Sequence, residues 1–291
     1  MRAFIVGANG VLGRAVVDRL LDRGGTVCAM VRSRDRATAI DRDGVQLIEG
    51  DLLLEPPARL AEMIAGCDVV AHLATALRPD SPGFGTTNTN AALRTTGTRR
   101  LLDAALAAGV PRYIQQSIAL AYVDGGDAWL DEATPFYRPE DAGGAAQPAV
   151  EMEAMVRALD PARVAWIILR GGAFVGRDTR QDDVIAGLRA GTVTVAGDGS
   201  NWVSFVHVGD YADAVVAAMH SEATGVTLNI TDDPVRSGEY LDSLADILRV
   251  PRPARDPAAV LPRAYRCTSA AARDILGWRP RIGIWPRPAD A

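Results

Sequence analysis

Short apolar runs alternate with helix-period stretches through the first half of the chain. Residues 2–6 form one such run. A glycine cluster follows, and then Val11, Val16, Val17, Leu20 and Leu21 recur at helical spacing. The pattern predicts strands at 26–31, 45–48, 68–73 and 112–117, with helices at 57–65 and 95–108 between the later ones. Strands that alternate with helices at this spacing must be joined by right-handed crossovers and covered on both faces. The expected fold class is therefore α/β, a Rossmann-type doubly wound parallel sheet with a smaller C-terminal substrate lobe.

After Ser117 the rhythm breaks for a long stretch rich in glycine and proline, from Gly125 to Pro148. Loops of that length in a compact domain usually carry function. A helix at 149–159 and a strand at 164–169 restore the alternation, and residues 205–208 with a helix at 211–220 read as a return to the main sheet. This places a dinucleotide-binding domain at 1–172 and 203–225 and a substrate-binding lobe at 173–202 and 226–291. The Pro-rich tail from Trp285 reads as loose.

Composition narrows the class. With 291 residues, 48% of them hydrophobic, the chain can bury a full core. Its formal net charge of -5 offers no basic footprint for nucleic acid. Apolar stretches are short and broken by charge, and Met1 runs almost directly into a strand, so neither a membrane span nor a signal peptide is expected and the location reads as cytoplasmic. Cys28, Cys67 and Cys267 fit reduced thiols. His72, His207 and His220 lack ligand spacing, so no metal site is expected. The expected partner is a small-molecule substrate, with self-association left open.

The glycine cluster carries the first chemistry. Gly7, Asn9, Gly10, Val11, Leu12 and Gly13 belong to a G-x-x-G-x-x-G turn between strand and helix. There glycines permit a tight turn, close approach of a pyrophosphate and close helix–strand contact, while the helix N-terminus offers free N–H groups to phosphate. Which dinucleotide binds depends on the end of the second strand, where an acidic residue would accept the ribose hydroxyls of NAD. Arg32 stands there instead, followed by Ser33 and Arg34, and Arg14 follows the last glycine. A guanidinium suits a 2′-phosphate, so NADP is expected over NAD.

These features, with GDL at 50–52, AHLAT at 71–75, GTRRLLDAA at 97–105, LRGGAFVG at 169–176, FVHVGDYADA at 205–214 and LGWRPR at 276–281, resemble the extended and atypical short-chain dehydrogenase/reductase superfamily of the epimerase/dehydratase type. The likeness covers nearly the whole chain. It implies that Asp51 and Leu52 flank the adenine, that Leu73, Ala74 and Thr75 line the cofactor, and that Gly171, Gly172 and Ala173 lie near the nicotinamide. It also matches Ser117 to the family's catalytic serine.

The chain departs from the family pattern at the catalytic pair. That pair is a tyrosine followed one helical turn later by a lysine, which holds the nicotinamide ribose and lowers the tyrosine pKa. All 31 basic residues here are arginine, and the helix that should carry the pair reads QPAVEMEAMV. Tyr122, five residues past Ser117, is the candidate replacement, with Tyr137 behind it. Glu153 reads as an exposed helix carboxylate, His72 as a packed hydrogen-bonded residue, and Asp131 and Glu132 as loop acids. QQSIA lacks the glycines of a nucleophile elbow and no histidine is placed by pattern to serve it, so Ser117 fits a hydrolase nucleophile poorly. The leading expectation is an NADP-dependent oxidoreductase on a small carbonyl or alcohol, with Ser117 polarising the oxygen and Tyr122 or solvent supplying the proton. The alternatives are a non-redox cyclase, isomerase or dehydratase that retains the dinucleotide structurally, and a cofactor-sensing binding protein.

Overall fold

The computed structural model describes residues 1–76, 87–136 and 146–286. β1 (Arg2–Val6) runs through the glycine cluster into α1 (Val11–Asp22), followed by β2 (Thr26–Val31), β3 (Val45–Glu49), α2 (Pro57–Ile64) and β4 (Val69–His72). α3 (Thr87–Ala92), a π-helical turn at Leu93–Gly97 and α4 (Thr98–Ala107) then lead to β5 (Arg112–Ile118). Beyond it lie β6 (Trp129–Leu130), α5 (Gln147–Arg157), β7 (Ala165–Gly171), β8 (Ala173–Val175), α6 (Arg180–Ala190), β9 (Thr194–Ala196), β10 (Trp202–Val203) and β11 (Phe205–His207). The chain continues with α7 (Val208–His220), β12 (Val226–Ile230), β13 (Val235–Arg236), α8 (Ser237–Leu248), β14 (Ala254–Asp256), β15 (Arg266–Cys267) and α9 (Ala270–Leu276).

Seven parallel strands make the central sheet in the order β12-β7-β5-β4-β1-β2-β3. Strands covered on both faces have no polar side, which is why β1 after Arg2 and β4 up to His72 read as unbroken apolar runs. On one face Leu12, Val16 and Leu20 of α1 and Tyr211 and Val215 of α7 pack over Ile5, Ile114 and Leu169. On the other, Leu60 and Ile64 of α2, Leu101 of α4 and Val156 of α5 cover Phe4, Val70 and Ile168. The smaller lobe has its own core, in which Leu188 of α6 joins Tyr240 and Leu244 of α8. No helix among the described residues is long and apolar enough to cross a membrane. Cys28, Cys67 and Cys267 are buried and unbridged.

The strand that returns to the main sheet differs from the sequence expectation. Phe205–His207 pairs with Ala173–Val175 in a separate two-stranded sheet, whereas Val226–Ile230, expected in the smaller lobe, hydrogen-bonds along β7 as the sheet's edge. α9 packs against β12 and α7, and Ala272 and Trp278 join the main core. The reason is local. Only Leu228, Asn229 and Ile230 of β12 are buried, and a short mixed run of this kind has weak apolar periodicity. Tyr137 and the tail beyond residue 286 lie outside the described residues.

Candidate active site

The strand order reverses between β1 and β4, which opens a crevice at the carboxyl ends of the strands. The glycine turn sits in its mouth. Gly7 has φ +92°, and a Cβ there would lie 2.6 Å from the Ala74 nitrogen, so β1 and the segment after β4 approach through its bare backbone. A Cβ on Gly13 would lie 2.1 Å from the Gly7 carbonyl oxygen, so α1 closes directly onto the turn. The Gly10 N–H donates to that same oxygen at 3.0 Å, and Gly10 caps α1 with no side-chain bond to the first-turn N–H groups. Such donors at the positive end of a helix suit an anion. Asn9 ties the turn to the segment after β2 by donating to the Arg36 carbonyl at 2.5 Å. Leu12 is buried in the core and Val11 is half-buried.

At the β2 end the arginines divide. Arg14 is paired with Asp178 at 2.6 Å, and Arg34 donates to the Leu47 carbonyl at 2.8 Å. Arg32 is exposed, and no hydrogen bond or ion pair joins it to a described residue; the Ser33 hydroxyl caps nothing. Asp51 accepts from the Leu53 N–H at 2.8 Å, while Leu52 is buried beneath Gly97. Towards the other end, Leu73 and Ala74 lie against Gly7, and Thr75 is exposed. Gly171 and Gly172 have a packing reason of their own. A Cβ would lie 2.7 Å from the Tyr211 ring at Gly171 and 2.6 Å from the Ser204 carbonyl oxygen at Gly172. Ala173 follows, its N–H bonded to Ser204.

Ser117 and Tyr122 both belong to a buried polar network, in which they do not touch each other. Ser117 Oγ donates to Glu153 Oε1 at 2.6 Å. Arg170 grips the same carboxylate side-on, with Nε to Oε1 at 3.0 Å and Nη2 to Oε2 at 2.8 Å. Its remaining arm donates to Tyr122 Oη at 2.6 Å and to the Glu132 carbonyl at 3.3 Å. Tyr122 donates to Asn229 Oδ1 at 2.7 Å, and the Asn229 N–H donates to Glu132 Oε1 at 2.7 Å. The Arg170 guanidinium also lies 4.0 Å from the Phe136 ring centroid. Burial pushes the Tyr122 hydroxyl above its ordinary pKa, with Arg170 acting the other way, so the phenol stays protonated. Both hydroxyl hydrogens are thus committed inside the protein.

Glu153 is corrected outright. It is 1% exposed, not a solvated helix carboxylate, because the short hydroxyl and guanidinium donors supply what water would have. The sequence held the signal, since Ala149, Met152, Glu153 and Val156 are the buried positions of α5 and share one helical face. Arg170, the last polar residue of the apolar run AWIILRG, was equally visible. Arg94, buried on the π-helical turn, was missed because the expected helix began at residue 95, one position past it.

His72, at the end of β4, is buried, and its Nδ1 lies 3.2 Å from Gln115 Nε2. Burial pushes its pKa down to about 4, with the Arg94 charge acting in the same direction. Between about 4 and the ordinary 6.5 the unfolded chain takes up a proton that the folded chain refuses. Stability is therefore full above pH ~6.5 and falls as the pH drops towards ~4, by up to about 3 kcal/mol. Urea unfolding across this window should give His72→Asn a flatter pH dependence than the wild type; parallel curves would exclude His72 as the group responsible.

A family model described as the NAD dependent epimerase/dehydratase family matches residues 3–231. A 3-diazoavenalumate denitrifying reductase from a Streptomyces species is 37% identical over 306 residues, covering 98% of this chain and 98% of its own length. A 4-hydroxy-2-methyl-3-oxo-4-farnesyl-3,4-dihydroquinoline-1-oxide ketoreductase from Stigmatella aurantiaca is 29% identical over 252 residues, covering 84% of this chain and 73% of its own. Among solved structures, MoeE5 in complex with UDP-glucuronic acid and NAD has a TM-score of 0.79 at 25% identity, covering 100% of this chain and 97% of that one.

Proposed function

Because the chain belongs to the NAD dependent epimerase/dehydratase family, we propose that it is a reductase of small carbonyl compounds that prefers NADP(H). The observation that carries this reading is the glycine cradle at Gly7, Gly10 and Gly13, whose bare backbone and uncapped helix fit a pyrophosphate. Arg32, exposed and without a described partner at the end of β2, supports the 2′-phosphate over a free ribose hydroxyl. The reductase and ketoreductase names of the relatives support reduction of a carbonyl.

A bound dinucleotide supplies the hydride. Gly7 to Gly13 and the first turn of α1 hold the phosphates, Arg32 and Ser33 hold the adenosine end, and Leu73, Ala74 and Thr75 line the crevice beyond. Ser117 and Tyr122 position the site: through Glu153 and Arg170 they tie β5, α5, β7 and β12 together at the carboxyl end of the sheet. The proton then comes from solvent, since the Tyr122 hydrogen is given to Asn229.

Titration of the protein with NADPH and NADH tests the reading, followed by nicotinamide absorbance on adding a panel of ketones and aldehydes. Tighter NADPH binding and absorbance loss are expected. Binding with no loss on any carbonyl would favour the non-redox alternative, and no binding would sink both. Arg32→Ala should weaken NADPH about tenfold or more and leave NADH within about twofold. Equal effects on the two would remove Arg32 from the 2′-phosphate site.

A further inference from the structure

Arg94 is 7% exposed, and no hydrogen bond or ion pair joins it to a described residue. A buried guanidinium carries five donors and cannot give up its proton, so leaving it without an acceptor is costly. By contrast, the other deeply buried arginine, Arg170, bonds Glu153, Tyr122 and a carbonyl.

Its position says what the acceptor is. Arg94 lies on a π-helical turn, a distortion that often marks functional sites, packed against α5. It acts electrostatically on His72, the last residue of β4, whose ring meets Gln115 of β5. The glycine cradle is on β1 and Arg32 on β2, so a dinucleotide with its adenosine at β2 carries its second nucleoside across to β4 and β5. The chain has no lysine, so a permanent cation at that end must be arginine.

We propose that Arg94 is a cofactor-contacting residue, its guanidinium donating to the hydroxyls of the nicotinamide ribose. This rests on the dinucleotide reading above. The test is a binding titration of wild type, Arg94→Gln and Arg94→Lys with NADPH, 2′-phospho-ADP-ribose and adenosine 2′,5′-bisphosphate. The first two ligands carry the second ribose and the third does not. Arg94→Gln should weaken the first two about tenfold or more, leave the bisphosphate unchanged, and be partly rescued in Arg94→Lys. Thermal melting of ligand-free Arg94→Gln should match or exceed wild type, because a buried charge with no partner among the described residues has been removed.

Unchanged affinity for all three ligands overturns the assignment, as does an equal loss for all three. A loss for NADPH alone moves the contact to the nicotinamide ring and overturns it too. A lower melting temperature with unaltered affinities makes Arg94 structural. Failure of wild type to bind any of the three instead sinks the dinucleotide reading, and the assignment with it.

Discussion

Replacing Glu153 by alanine should destabilise the protein by about 3–5 kcal/mol, the expected cost of removing one partner from a buried ion pair. The magnitude comes from what is left behind. Glu153 accepts four hydrogen bonds, from Ser117, twice from Arg170 and from Arg157. Arg170 is 3% exposed and forms an ion pair with no carboxylate but Glu153 among the described residues, so its Nε and Nη2 donors would be stranded away from water. Arg157→Ala removes a charge from the same carboxylate, but its side chain is 44% exposed and water replaces it, so its cost should stay within about 1 kcal/mol. Removing both ends of the buried pair, as Glu153→Leu with Arg170→Met, should recover most of the loss, because two apolar groups leave nothing unpaired. Urea unfolding of the three variants checks the order. A cost for Glu153→Ala no greater than for Arg157→Ala would mean that the network does not hold the ends of β5 and β7 in place.

The same network marks the limit of what could be read from the sequence. The central strands were legible because burial on both faces makes them apolar throughout, and the glycine turn because its spacing has a mechanical cause. Ser117, Glu153 and Arg170 come from three separate elements, and only the register of β5 against β7, which sets Ser117 beside Arg170, brings them together. No spacing rule announces such a meeting. The helical phase of α5 did place Glu153 on the buried face, and that phase outweighs the general tendency of glutamate to be exposed. Arg94 shows the same lesson, since Arg94, Thr98, Leu101 and Ala105 are all buried and follow one face through the π-helical turn into α4. A charged residue in phase with an apolar stripe is a stronger pointer than a charged residue in a motif. The misplaced return strand has another origin: β11 and β12 are both short, and which of them joins the main sheet depends on tertiary pairing rather than on local pattern.

The glycines of the turn separate packing from binding. Gly13→Ala should cost about 3 kcal/mol or more in the ligand-free protein, since its Cβ would overlap the Gly7 carbonyl and the Ala8 backbone, and no flexible side chain is there to give way. Gly10→Ala meets only the Gly7 oxygen, at 3.2 Å, and Gly10 has φ -75°, a conformation any residue adopts. Its ligand-free stability should therefore stay within about 1 kcal/mol of wild type. Both variants should bind a dinucleotide at least about 100-fold more weakly, but for different reasons. In Gly13→Ala the turn itself is reshaped. In Gly10→Ala the turn is intact, and an added methyl at the cap of α1 stands where a phosphate must approach the first-turn N–H groups. Unfolding and titration of the two variants together distinguish these cases. If Gly10→Ala binds as well as wild type while Gly13→Ala fails in both assays, the glycines serve only the close contact of α1 with the turn, and the phosphates lie elsewhere.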